Sequence, residues 1–271
     1  MLDALKQGYT VANGAVVSPM PHYAAHRPEK TERHFCISVA GHAIEIDSMY
    51  TEVYSLCEKY LCDRIPEIRI RVNEEDLALE REETGRENKH QQNGYLEILA
   101  VYRKICEAML DYDTFLMHGA VIATGNNAFM FTAESGTGKT THIRKWIQNM
   151  EDAYVVNGDK PLIQITGTQA IACGTPWCGK EKMNTNIMVP LKAIVLMERG
   201  ESNEIKEISY SEAFTTLLQQ TYRPNDAGKM RKTLFLLSRM KGLIRFYRFI
   251  FNNMKEDAFD VAYRALAKEN I

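Results

Sequence analysis

The stretch AESGTGKT at 133–140 joins small, conformationally free residues to a lysine–threonine pair. It fits the phosphate-binding-loop pattern, with Ala133 standing where the first glycine usually is. Such a loop wraps phosphate in backbone N–H groups, because a helix begins where the loop ends. Ser135, Gly136, Thr137, Gly138, Lys139, Thr140 and Thr141 are therefore the candidate phosphate contacts. Lys139 is expected to reach the β- and γ-phosphates, and the Thr140 hydroxyl to hold Mg²⁺. The bland alternative is a glycine-rich turn without a ligand. The flanks weigh against it: 128–132 (AFMFT) reads as a buried strand and 141–150 (THIRKWIQNM) as a helix.

A metal-bound nucleotide needs a carboxylate at the end of a neighbouring strand, since Mg²⁺ takes oxygen ligands and keeps several waters. Asp159 follows the apolar run 153–157 (AYVVN) by one glycine and fits that role better than that of a plain turn aspartate. A second informative stretch is 174–186 (GTPWCGKEKMNTN), where Gly174, Pro176 and Gly179 make a loop. Binding groups tend to sit on such loops above a rigid sheet. Lys180 reads as a second phosphate or acceptor contact. Trp177 reads equally as a pocket wall or a packed side chain. Arg199, at a strand end, is another cation near the loop or simply a solvated arginine.

Four features occur in order: Met117-His118-Gly119-Ala120, a hairpin, SGTGKTT at 135–141, and a strand ending in Asp159. Over about 113–200 this resembles HPr kinase/phosphorylase, of the phosphoenolpyruvate-carboxykinase-like superfamily. The resemblance implies that His118 lies beside the transferred phosphate, that Lys139 and Thr140 contact phosphates and Mg²⁺, and that Asp159 is the metal-associated member of an aspartate pair. The other member, the base toward a serine hydroxyl in that family, falls on Gly158. Asp159, Glu134 or Glu181 are the carboxylates that could replace it. Phosphoenolpyruvate carboxykinase itself fits less well, since its oxaloacetate-binding residues have no counterpart here.

The elements that must position these residues follow from periodicity. Residues 1–33 look like an irregular leader, and 35–40 with 43–46 form a hairpin about Gly41. A helix is expected over 51–62, a strand over 67–72, and a charge-rich connector or solvated face over 73–93. The spacing predicts a helix over 96–112, strands at 119–124, 128–132, 153–157, 162–165, 170–173, 193–198 and 204–208, and a helix capped by Ser211 that runs to 220. The tail reads as a helix at 227–240, a strand at 244–247 and a helix at 257–267.

Hydrophobic residues make up 45% and charged residues 25% of 271, the balance of a globular protein. A net charge of −2 gives no general pull toward nucleic acid or anionic membrane, and the basic, aromatic stretch 223–248 has helical apolar spacing. No run is long and apolar enough to span a membrane, and the cytoplasm is the expected location. None of the six cysteines forms a C-x-x-C pair, so buried thiols are expected rather than disulfides or zinc ligands. The expected architecture is α/β: a small α/β segment, 1–95, and a mixed-sheet phosphate-loop domain, 96–271, of the HPr kinase/phosphoenolpyruvate carboxykinase type. The expected chemistry is Mg²⁺- and ATP-dependent transfer of a phosphoryl group to a hydroxyl of a protein, peptide or small molecule. His118, Lys139, Asp159 and Lys180 would be its catalytic groups, and Thr140 and Asp159 its metal ligands. The family often assembles into oligomers, so a homo-oligomer is an expected partner. A non-catalytic nucleotide sensor is the alternative that Gly158 favours.

Overall fold

The computed structural model describes residues 10–12, 15–17, 30–83, 92–134, 136–252 and 254–266. The chain opens with a short antiparallel pair, β1 (Thr10–Ala12) and β2 (Ala15–Val17), inside what the sequence reads as an irregular leader. β3 (Lys30–Val39) and β4 (His42–Tyr50) form the expected hairpin, turning through Ala40 and Gly41, both at positive φ. After α1 (Thr51–Cys57), β5 (Ile68–Arg71) adds to β4 in parallel. The expected 51–62 helix is shorter, because it tightens to a 3₁₀ turn over Glu58–Tyr60 and Leu61 then bridges back to Ile37.

The charge-rich 73–93 stretch corrects another expectation. It contains α2 (Glu74–Glu83), held less by apolar burial than by charge. Arg103 of α3 (Asn93–Met109) reaches Glu80 at 2.7 Å and Asp76 at 3.2 Å. α3 packs Leu96, Ile98, Val101 and Ile105 into the core of the three-stranded sheet.

The larger sheet has nine strands. β6 (Thr114–Leu116), β7 (Ala120–Thr124), β8 (Asn127–Thr132), β9 (Tyr154–Asn157), β10 (Leu162–Ile165) and β11 (Ala170–Cys173) are antiparallel to their partners among themselves. β12 (Met188–Arg199) is the spine. Its first residues pair antiparallel with β11. Past a register shift between Leu191 and Ala193, the rest runs parallel to β8 on one side and β14 (Arg245–Phe251) on the other. β13 (Glu204–Ile208) closes that edge. β6 carries no periodic signal in the sequence, because its three residues are all buried and show no alternation.

Alternation along the central strands feeds two layers. Phe129, Phe131 and Val195 face α4 (Lys139–Asn149) and α7 (Ala258–Leu266). Met130, Ile194 and Leu196 face α5 (Tyr210–Gln220) and α6 (Ala227–Arg239). The α5 cap is Ser209, not Ser211. Its hydroxyl accepts from the Glu212 N–H while the Glu212 carboxylate accepts from the Ser209 N–H, a complete capping box. Among the described residues no helix is long and apolar enough to cross a membrane. The chain is an α/β protein with a curled, mixed sheet.

Candidate functional site

The 133–138 loop leaves the carboxyl end of β8 and enters α4 with Gly138 as N-cap at φ +116°. No side chain caps this helix, and its first intrahelical bond runs from His142 N–H to Gly138 O. The preceding N–H groups have no acceptor within the helix, so this end presents donors of the kind that suit an anion. Gly136 also lies at positive φ, and a Cβ on Gly138 would sit 2.7 Å from the Phe251 ring. Both glycines are required by the loop's path.

A cavity of about 280 Å³ opens above this end. Gly136, Gly138, Lys139, Thr140 and Thr141 line it from the loop, with His118, Asp159 and Lys180 opposite. These residues come from four separate stretches of chain. Thr137 does not line the cavity; its hydroxyl donates to Glu134 O at 2.9 Å. Ser135 lies outside the described residues. Trp177 does not form a wall: it is buried against Tyr102, with ring centroids 5.0 Å apart. Cys178 lines the cavity, while Cys173 belongs to the core below.

Charge in this cavity is unevenly matched. Lys139 Nζ donates to the carbonyls of Ala133 at 2.9 Å and Glu134 at 3.4 Å. Burial pulls its ammonium down to about 8, against the opposing pull of Asp159. Lys160, fully buried behind Asp159, is lowered for the same reason and is likewise opposed by that carboxylate. The other carboxylate on the cavity wall, Glu181, is paired with Arg144 of α4. Lys139 and Lys180 thus line a cavity whose two carboxylates, Asp159 and Glu181, contact His118 and Arg144, an arrangement suited to a polyanion.

His118 stands between β6 and β7, and its position is over-determined. Its N–H donates to Gln220 O at 2.7 Å, its carbonyl accepts from Thr132 Oγ1 at 2.7 Å, and Gly119 N–H donates to Asp159 O at 2.8 Å. Its ring reaches Asp159 Oδ1 through Nε2 at 3.0 Å and Gln220 Oε1 through Nδ1 at 2.8 Å. A carboxylate only accepts, so Nε2 carries a proton. Nδ1 then meets the Gln220 amide, whose NH₂ can face a neutral ring or whose oxygen can face an imidazolium.

Three contributors have no signal in the local sequence. Asn157 is completely buried, and its Oδ1 accepts from the N–H groups of Asp159 at 2.9 Å and Lys160 at 2.7 Å. Its Nδ2 lies 3.1, 3.0 and 3.3 Å from Thr175 O, Thr175 Oγ1 and Trp177 O. One amide therefore ties the aspartate turn to the loop that carries Lys180. Gln220 and Arg144 are the others, reaching residues 102 and 37 positions away. Gly158 lines the cavity too, and a Cβ there would sit 3.2 Å from Cys178 O and 3.3 Å from Met183 O.

For a divalent ion, the Thr140 hydroxyl and Asp159 carboxylate face the same cavity. Among the described residues no cluster of three or more His, Cys, Asp or Glu forms a metal cage. That donor set fits Mg²⁺ arriving with phosphates, since Mg²⁺ commonly takes one or two protein oxygens and fills the rest with phosphate and water.

No family model matches this chain, and no curated protein matches it. Among solved structures, that of the Hpr(Ser) kinase/phosphatase from Coxiella burnetii is similar at 9% identity and a TM-score of 0.35. The likeness covers 58% of this chain and 99% of that one. What the cavity does is read from its own groups.

Proposed function

We propose that this protein binds a Mg²⁺–nucleoside triphosphate in the cavity above α4 and transfers its terminal phosphoryl group to a hydroxyl. The observation that carries this reading is the convergence of an uncapped helix N-terminus, Lys139, Thr140, His118 and Asp159 on one cavity. The 133–138 loop and α4 would seat the phosphates, with Lys139 on the terminal pair. Thr140 and Asp159 would hold Mg²⁺, which supplies charge neutralisation to the phosphates when bound. His118 and Lys180 would stabilise charge on the moving phosphoryl group, since such transfer depends on positioning and neutralisation more than on covalent help. The fold would then be of the HPr kinase type, with ATP the expected donor.

The test is incubation with Mg²⁺ and γ-labelled ATP, followed by separation of labelled products. Transfer or release of label by the wild type, reduced by at least ~10²-fold in Asp159→Asn, is the expected result. Binding of ATP without any turnover would instead support a nucleotide sensor. One feature favours that second reading: Gly158 carries no carboxylate, and two backbone carbonyls crowd the space a side chain would need.

A further inference from the structure

Two of the six cysteines depart from the buried thiols expected from the sequence. Cys36 of β3 and Cys62, just past the Glu58–Tyr60 turn, are both partly exposed, whereas Cys57, Cys106, Cys173 and Cys178 are buried. The sulfurs of Cys36 and Cys62 lie 3.5 Å apart, in contact as free thiols. Packing does not account for the pair. β3 turns Phe35, Ile37 and Val39 into the core, so Cys36 and Ser38 stand on its outer face. That face is polar: Glu45, opposite Cys36 on β4, pairs with Arg69 of β5 at 3.1 Å. A cysteine kept as a small apolar filler belongs in a core rather than here.

The backbone holds the two sulfurs in register. β3 has β4 on one edge. On its other edge Leu61 bridges antiparallel to Ile37, and Cys62 N–H donates to Cys36 O at 2.9 Å. Cys36 and Cys62 therefore stand directly opposite one another. Hydrogen-bonded antiparallel pairs have Cα atoms about 5.5 Å apart, a separation that disulfides also span. A closure of roughly 1.5 Å by side-chain rotation brings the sulfurs to the ~2.05 Å of an S–S bond. Arg64 anchors the segment that follows, donating to Ser38 Oγ at 3.3 Å and to Gly41 O at 2.8 Å. The 61–64 stretch is thus held along the β3 edge with Cys62 aimed at Cys36.

We propose that Cys36 and Cys62 form a reversible thiol–disulfide site, closed by a peroxide-class oxidant, that clamps the 58–62 turn to the edge of β3. Desolvation, the neighbouring Cys62 and the Glu45 carboxylate push the Cys36 thiol up to about 11, so Cys62 is the sulfur that meets the oxidant. Its thiolate attacks one peroxide oxygen and the O–O bond breaks. The leaving oxygen takes up the thiol proton and departs as water, and Cys62 is left as a sulfenic acid. Cys36 then attacks that sulfur: the S–S bond forms, the S–O bond breaks, and the hydroxyl leaves with the Cys36 proton as a second water. Two thiols are oxidised, and one peroxide is reduced to two waters.

The experiment treats the full chain with equimolar hydrogen peroxide, alkylates the remaining thiols under denaturation and maps the peptides by mass spectrometry. The expected product is an intramolecular Cys36–Cys62 link, two hydrogens lighter, with the other four cysteines alkylated. Dithiothreitol should restore both thiols. Cys36→Ser is expected to stop at a Cys62 sulfenic acid that dimedone traps, and Cys62→Ser to form no link. Both substitutions lie on the outer face or the exposed edge, so the core is untouched. Amide exchange over 58–62 should slow ~10-fold or more in the oxidised protein. The proposal is overturned if both thiols remain alkylatable after peroxide, if the link runs to another cysteine, or if oxidation goes to sulfinic acid instead. Exchange over 58–62 that the disulfide leaves unchanged overturns the clamp.

Discussion

Lys139 is held under opposing demands. Burial disfavours its charge and brings it to about 8, while an arriving phosphate favours the protonated form. Binding of Mg·ATP near pH 8 should therefore take up protons, and affinity should fall as pH rises above 8. Calorimetry at pH 8 in two buffers of different ionisation enthalpy checks this: the observed heats should differ with the sign of proton uptake. Asn157 gives a second prediction at this scale. Asn157→Ala removes five contacts that fix Asp159 and the 175–178 loop together. It should cost ~2–3 kcal/mol of stability, read by denaturant melting, because buried partners lose their hydrogen bonds. It should also weaken the Mg²⁺-dependent part of ATP binding more than the part that persists in EDTA. That Lys139, Thr140 and Asp159 come together at one cavity is legible in the sequence, because the motif is contiguous and the strand-to-aspartate spacing is short. Asn157 was not, since its partners lie up to 20 residues away and a buried asparagine looks like any turn residue.

At the scale of elements, capping and close approach decide where segments start and how tightly they pack. Ser209→Ala should cost ~1 kcal/mol by removing the N-cap of α5, measurable as a shift in melting midpoint. The misplaced cap in the sequence reading has a plain cause: Ser209 and Ser211 are both serines near Glu212, and only Ser209 has the N3 spacing of a capping box. Gly174→Ala should be far more damaging, because a Cβ there would lie 1.8 Å from Thr185 O and push the Lys180 loop off β9. The strands that bury alternating faces, and the amphipathic helices α3 and α5, followed from periodicity. α2 did not, because Leu77 is its one buried apolar residue and ion pairs from Arg103 hold the rest. A charged run shows no such partners in one dimension.

At the scale of the whole molecule, α4, whose N-terminus lines the cavity, rests on a strongly apolar support. His142, in the first turn of α4, is buried among Phe131, Trp146, Phe249 and Phe251 and accepts from Trp146 Nε1 at 3.0 Å. Burial, with a smaller push from Lys145, lowers it to about 3, so it is neutral in the folded protein. The unfolded chain binds this proton at about 6.5. Its contribution is therefore fully present above that pH and is lost as pH falls from about 6.5 toward 3. His142→Gln keeps an acceptor for Trp146 and should flatten the loss of melting temperature over that window relative to wild type. An equally steep loss in the variant would place the acid sensitivity elsewhere.

The central proposition is that the curled sheet exists in this chain to bring Lys139, Thr140 and Asp159 around a polyphosphate. Isothermal titration of Mg·ATP into wild type and Lys139→Ala bears on it most directly. A single site in the wild type, weakened ~10²-fold or more in the variant by loss of charge-assisted bonds, is the expected result. Equal affinity in the two proteins, or no binding to the wild type, would contradict it.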